Sequence, residues 1–242
     1  MSLIKINYNQ FNDSDFFTSP FSLDSVGYDI QSTYSLKNGS DTYSDCPSWK
    51  HRSNRTFVVR SPIDLAFTVD RSTETLECFD IDEEVFKEYF YPTFESPGGW
   101  CNDKAVTIQL TIPRFLFWTK HKNVWIEQRP YALAAVRNNL VCVNGWYNLS
   151  NWVRPICFAF DIVDHTQPVI IKRGDVLFEL CFYGKNLDDG ILLNKKEIPE
   201  HVFEKSQKTS KVKKYAKYLS RYLIFKNQTN KCPFKFLWNK TP

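Results

Sequence analysis

From Thr56 onward, apolar residues recur at every second position. Ile63, Leu65, Phe67 and Val69 alternate with Asp64, Ala66, Thr68 and Asp70, which places four apolar side chains on one face of a strand. Val106, Ile108, Leu110 and Ile112 alternate with Thr107, Gln109 and Thr111 in the same way, and Pro113 predicts the end of that strand because proline cannot donate to a ladder. A short strand over 76–81 runs into the acidic group Asp80, Asp82, Glu83 and Glu84, and further strands are predicted over 124–127, 140–143, 155–163, 169–172 and 176–183. Asn144-Gly145 and Arg173-Gly174-Asp175 supply turn chemistry between them. Short strands at near-regular spacing, with no helix-length periodic segment among them, predict a mainly β, antiparallel sandwich or jelly-roll-like domain over 56–190 and argue against a parallel α/β sheet.

The flanks read differently. Residues 1–55 are rich in Ser, Asn, Asp and Tyr and show no sustained period, so they predict an irregular, aromatic-bearing N-terminal arm with at most one short strand. After Glu200, Val212, Tyr215, Leu219, Tyr222 and Leu223 recur at helical spacing between lysines, which predicts an amphipathic helix inside a basic C-terminal segment, 191–242. Charge sharpens this division. Residues 201–242 hold 11 Lys and Arg against the single acid Glu204, a net +10 in a chain of +4, so residues 1–200 carry −6.

Composition narrows the chemistry. With 20 Phe, 12 Tyr and 7 Trp, aromatic rings supply much of the area a 242-residue chain must bury, and a chain of this size needs neither disulfides nor metal to be stable. The seven Cys form no CxxC pair, and Cys142, Cys157 and Cys181 lie in apolar runs, as in a reduced interior. No stretch approaches the roughly 18 apolar residues of a membrane helix, and the start lacks an apolar signal run, so the expected location is the cytoplasm, a host cell's if the protein is viral, or a virion. GxSxG, P-loop and GxGxxG motifs are absent. His51, His121, His165 and His201 are scattered, and Asp161, Asp164 and His165 converge only through a chain reversal, so no metal or cofactor is expected.

The densest unusual feature lies between Trp100 and Trp152, where aromatic residues are interleaved with charged and amide side chains. Trp125, Glu127, Arg129, Asn144, Trp146 and Trp152 are the candidate ligand-binding residues: rings for apolar faces, the others for orientation. The same residues also suit an aromatic core or a subunit interface. A second candidate surface, for a polyanion such as nucleic acid, is Lys211, Lys213, Lys214, Lys217 and Arg221. The bland alternative is a solvated lysine face on a docked helix.

The segments Ile108-Gln-Leu-Thr-Ile-Pro113-Arg-Phe-Leu-Phe, Asn123-Val-Trp125-Ile-Glu-Gln-Arg-Pro130, Val141-Cys-Val-Asn-Gly-Trp146, Ile156-Cys-Phe-Ala-Phe-Asp-Ile162 and Val169-Ile-Ile-Lys-Arg-Gly174-Asp175-Val-Leu-Phe resemble an uncharacterised bacterial and phage family, the domain of unknown function 6065. The resemblance covers about residues 60–185. It departs at Asn144-Gly145, where that family tends to carry acidic residues. It implies a compact β-rich domain, a phage-like or bacterial source and no established activity. Three functional readings follow. The first is a non-catalytic, phage-encoded module that binds a protein partner or a second copy of itself through its aromatic face. The second is a cupin-like small-molecule enzyme with a pocket around Trp125 and Trp146, and the third is nucleic-acid binding by the basic helix.

Overall fold

A computed structural model of the chain describes residues 2–10, 22–25, 47–61, 63–73, 75–79, 93–95, 105–186 and 188–215. The protein is mainly β. Its larger sheet has six strands. In order these are β14 (Gly190–Lys195), β1 (Leu3–Gln10), β7 (Val106–Trp118), β11 (Ile156–Ile162) and β9 (Leu140–Cys142), with β6 (Thr93–Glu95) beside the first half of β7. The second sheet is ordered β10 (Gly145–Asn148), β8 (Trp125–Pro130), β13 (Val176–Tyr183), β3 (Thr56–Arg60) and β2 (Ser22–Ser25). A third, small sheet joins β12 (Val169–Ile171), β4 (Leu65–Asp70) and β5 (Thr75–Cys78).

The two larger sheets meet through aromatic rings. Phe117 of β7 lies edge-on to Phe182 of β13 at 5.4 Å between centroids, and Phe160 of β11 meets Phe178 of β13 at 6.0 Å. All four rings are fully enclosed, within one core that also takes Leu65, Phe67 and Val69 of β4 and Val169 and Ile171 of β12. The face that Leu65, Phe67 and Val69 were expected to share is therefore the buried one, and the sandwich is filled by rings as the composition foretold.

Several expectations need correction. β7 does not end at Pro113; it continues to Trp118. Its pairing with β11 jumps from Phe158↔Leu110 to Ile156↔Phe115, so Pro113 falls in a bulge where no ladder bond is asked of it. Within the expected N-terminal arm, Leu3–Gln10 is an interior strand between β14 and β7, with Ile4 and Ile6 buried, and its pairing with β14 is parallel in otherwise antiparallel sheets. Two seven-residue helices also interrupt the strands, α1 (Pro47–Ser53) and α2 (Ala132–Asn138). α2 closes on Asn139 in the left-handed region at φ 56°, and the Asn139 amide donates to the Asp164 and Gln167 carbonyls. The turns at Asn144-Gly145 and Gly174 join strands of different sheets and so form corners rather than hairpins. Gly174 supplies a φ of 89° there, and its carbonyl accepts from Arg60 Nη1 at 2.7 Å.

β7 also explains how the C-terminal helix sits. Phe115 and Phe117 point into the sandwich, while Leu116 and Trp118 point out and pack with Val153, Ile198 and Val202. Val202 opens α3 (Glu200–Tyr215), which buries Val202 and Ser206 four residues apart. The helix thus starts earlier than its lysine-rich part. Leu219, Tyr222 and Leu223 of the expected apolar stripe, and the acidic residues Asp80, Asp82, Glu83 and Glu84, lie outside the described residues.

Candidate functional site

Strand parity places the site. Along β8, Ile126 and Gln128 face the core, so Trp125, Glu127 and Arg129 face outward. Gln128 is held inside by donating to Cys142 Sγ and to the Val143 carbonyl at 3.1 Å. On one flank β10 sets Trp146 opposite Glu127, and on the other β13 sets Glu179 opposite Arg129 and Tyr183 opposite Trp125. Three strands therefore carry one polar and aromatic face.

The aromatic end of this face is a cleft of about 490 Å³ lined by Glu127, Asn144, Gly145, Trp146 and Tyr183. Trp146 leans on Trp125 with 5.2 Å between ring centroids and 35° between planes, yet remains 58% exposed. The Tyr183 hydroxyl donates to Glu127 Oε2. Burial, then the neighbouring Cys181 and Glu127, push the Tyr183 phenol well above its ordinary range, so it stays a protonated donor.

From Glu127 the charges run inward as a chain. Arg129 Nε lies 3.9 Å from Glu127 Oε2, Arg129 Nη2 lies 3.5 Å from Glu179 Oε2, and Glu179 Oε1 pairs with Arg52 of α1. The Glu179 side chain is only 6% exposed, so two guanidinium groups are what make its ionised form tolerable there. Buried Nε and Nη2 of Arg129 make no hydrogen bond, so Arg129 is held by charge rather than by directed bonds.

Of the residues singled out in the sequence, Trp125, Glu127, Arg129, Asn144 and Trp146 come together. Trp152 does not: it is buried, with the Arg154 guanidinium 5.7 Å from its ring centroid, and it does not line the cleft. Tyr183, Glu179 and Arg52 were missed. Tyr183 ends a strand predicted over 176–183, but only the pairing with β8 brings it to Glu127. Lys211, Lys213 and Lys214 fall in the last turns of α3, Lys217 and Arg221 lie outside the described residues, and nearer the helix start Lys208 sits 3.5 Å from Glu204. Asp161 accepts from the Thr107 hydroxyl, whereas Asp164 accepts from Thr166, so the Asp161, Asp164 and His165 group does not converge. Among the described residues no group of three or more His, Cys, Asp or Glu side chains is arranged to hold a metal ion, and no helix among them is long and apolar enough to cross a membrane. No family model matches the chain, and no curated protein matches it.

Proposed function

We propose that this protein is a non-catalytic binding module whose working surface is the cleft of Trp125, Glu127, Asn144, Trp146 and Tyr183. One observation carries the reading: a large ring, Trp146, is kept 58% exposed on a strand while its neighbour Trp125 braces it from behind. Isolated exposed apolar residues need no explanation, but a braced indole beside a carboxylate, an amide and a phenol combines the apolar surface and the few polar groups that orient a ligand. The volume falls within the roughly 300–1,000 Å³ of small-ligand clefts. The setting proposed with it is a phage- or bacterium-encoded protein, in the cytoplasm or on a virion.

The test is a screen of the full chain by indole fluorescence against neutral sugars, amines, nucleotides and carboxylates, with sedimentation velocity for self-association. The expected result is a response, seen by indole fluorescence and by titration calorimetry, that Trp146→Ala abolishes while lowering the thermal midpoint by no more than about 4 °C. A chain that responds to none of these classes and does not self-associate, or a Trp146→Ala variant that responds like the wild type, overturns the reading.

A further inference from the structure

The lining of the cleft discriminates between ligand charges. Among the described residues its lining contains Glu127 and no Lys, Arg or His, so a phosphate or carboxylate finds no cationic partner in it. A cation fares no better than in water, because the Glu127 charge is already answered. Glu127, Arg129, Glu179 and Arg52 form a linked chain with two charges of each sign. A wholly apolar ligand would strip water from Glu127, Asn144 and the Tyr183 hydroxyl without replacing its hydrogen bonds.

A neutral ring with hydroxyls around its edge and C–H groups on its face suits all of these groups. Both the Tyr183 hydroxyl and the Arg129 guanidinium engage Oε2 of Glu127, and among the described residues no donor engages Oε1. Glu127, about a third exposed, therefore presents one oxygen to accept from a hydroxyl, and its orientation is set in advance by Tyr183. Asn144, exposed at the corner before β10, offers an acceptor and donors in one amide. Trp146 offers a flat apolar face whose tilt is fixed by Trp125, so little order is lost when a ring stacks on it.

We infer that the cleft binds a neutral saccharide, with a sugar ring stacked on Trp146 and its hydroxyls shared between Glu127 Oε1 and the Asn144 amide. This inference rests on the reading of the cleft as a binding site and names its ligand class.

The experiment titrates the full chain with neutral mono- and oligosaccharides, following indole fluorescence and, for every variant, heat by isothermal titration calorimetry. Choline and a set of sugar phosphates serve as charged counterparts. Neutral sugars should shift the emission with saturation, Trp146→Ala and Glu127→Ala should weaken binding at least roughly tenfold, and Glu127→Gln, which keeps an acceptor oxygen, should recover part of the loss. Thermal midpoints of the variants separate lost binding from lost folding. Should Glu127→Ala fail to fold, Asn144→Ala, an exposed substitution, replaces it and should weaken sugar binding in the same direction. Saturable binding of choline or of sugar phosphates in place of neutral sugars overturns the saccharide assignment and leaves the binding-module reading standing. Silence from every class overturns the saccharide assignment, and silence together with no self-association in sedimentation overturns the binding-module reading as well.

Discussion

Glu179 and Arg129 face each other across the β13 and β8 ladder, with Nη2 3.5 Å from Oε2, on the side of the sheet turned away from the core. The Glu179 side chain is 6% exposed and the Arg129 side chain 29%, so the pair is unequal: removing Arg129 leaves an enclosed carboxylate with Arg52 as its remaining partner, and removing Glu179 leaves a side chain with some access to water. Arg129→Met is therefore expected to cost about 1–3 kcal/mol, while the double variant Arg129→Met with Glu179→Leu costs less than the sum of its singles. Urea unfolding of the two variants and of Glu179→Leu reads this directly. A double variant as unstable as the sum of its singles would show that the two charges act independently.

Gly184 follows β13 directly and lies against the Ile4 side chain of β1. A Cβ placed there would come within 2.2 Å of Ile4 Cδ1 and 2.8 Å of Asp189 Oδ2. Neither neighbour yields readily, since Ile4 is packed in the core and Asp189 accepts from the Ser2 hydroxyl at 2.6 Å and the Asn186 amide at 3.1 Å. Gly184→Ala should lose about 1–3 kcal/mol, whereas Gly145→Ala, with open space around its added methyl, should stay within about 0.5 kcal/mol. Chemical denaturation midpoints distinguish the two.

Those neighbours of Gly184 also show what the sequence could and could not reveal. The alternation in β4 was legible because it is long and one face is buried, and the Trp-rich stretch was legible as a density of rings. Ile4, Ile6 and Tyr8 also alternate, but over too short a run of an Asn-rich segment to predict an interior strand. The strand's place is set by β14 and β7, more than a hundred residues away. The cleft was legible in part: Trp125, Glu127, Asn144 and Trp146 stood out together in the aromatic stretch, but only the β10 and β8 register sets Glu127 opposite Trp146, and Tyr183 arrives from a third strand. Pro113 misled for a local reason, since a bulge removes the ladder bond whose loss makes proline a strand breaker.

Asp70 gives a pH signature. Its carboxylate accepts from the Ser72 hydroxyl at 2.6 Å, the Ser72 amide at 2.8 Å and the Thr73 amide at 3.3 Å, and these donors lower its pKa from 3.8 to about 2. A folded-state value below the unfolded one means that the contribution is fully present above about pH 4 and is lost as the pH falls through 2. The difference in thermal midpoint between wild type and Asp70→Asn should accordingly be constant from pH 7 to about 5 and shrink below about pH 4. A difference independent of pH down to 2 would show that the turn does not depend on the carboxylate charge.

Two large rings from adjoining parts of the fold should respond oppositely to truncation. Phe117 is 1% exposed and touches Tyr8, Phe115 and Phe182, with centroids 5.4–6.0 Å away. Phe117→Ala opens a void at the junction of the two sheets, where neighbouring rings are fixed by strands on both sides and cannot collapse inward, so about 3–5 kcal/mol is expected to be lost. Trp146 is a larger ring, yet its truncation removes little more than the tilted contact with Trp125, and Trp146→Ala should cost about 1 kcal/mol or less. Differential scanning calorimetry of the two variants gives the ordering. If Trp146→Ala proved as damaging as Phe117→Ala, the indole would be a structural prop and its exposure incidental. If it costs as little as its surroundings imply, stability does not account for an exposed tryptophan on an outer strand, and contact with a ligand or a partner surface is left to account for it.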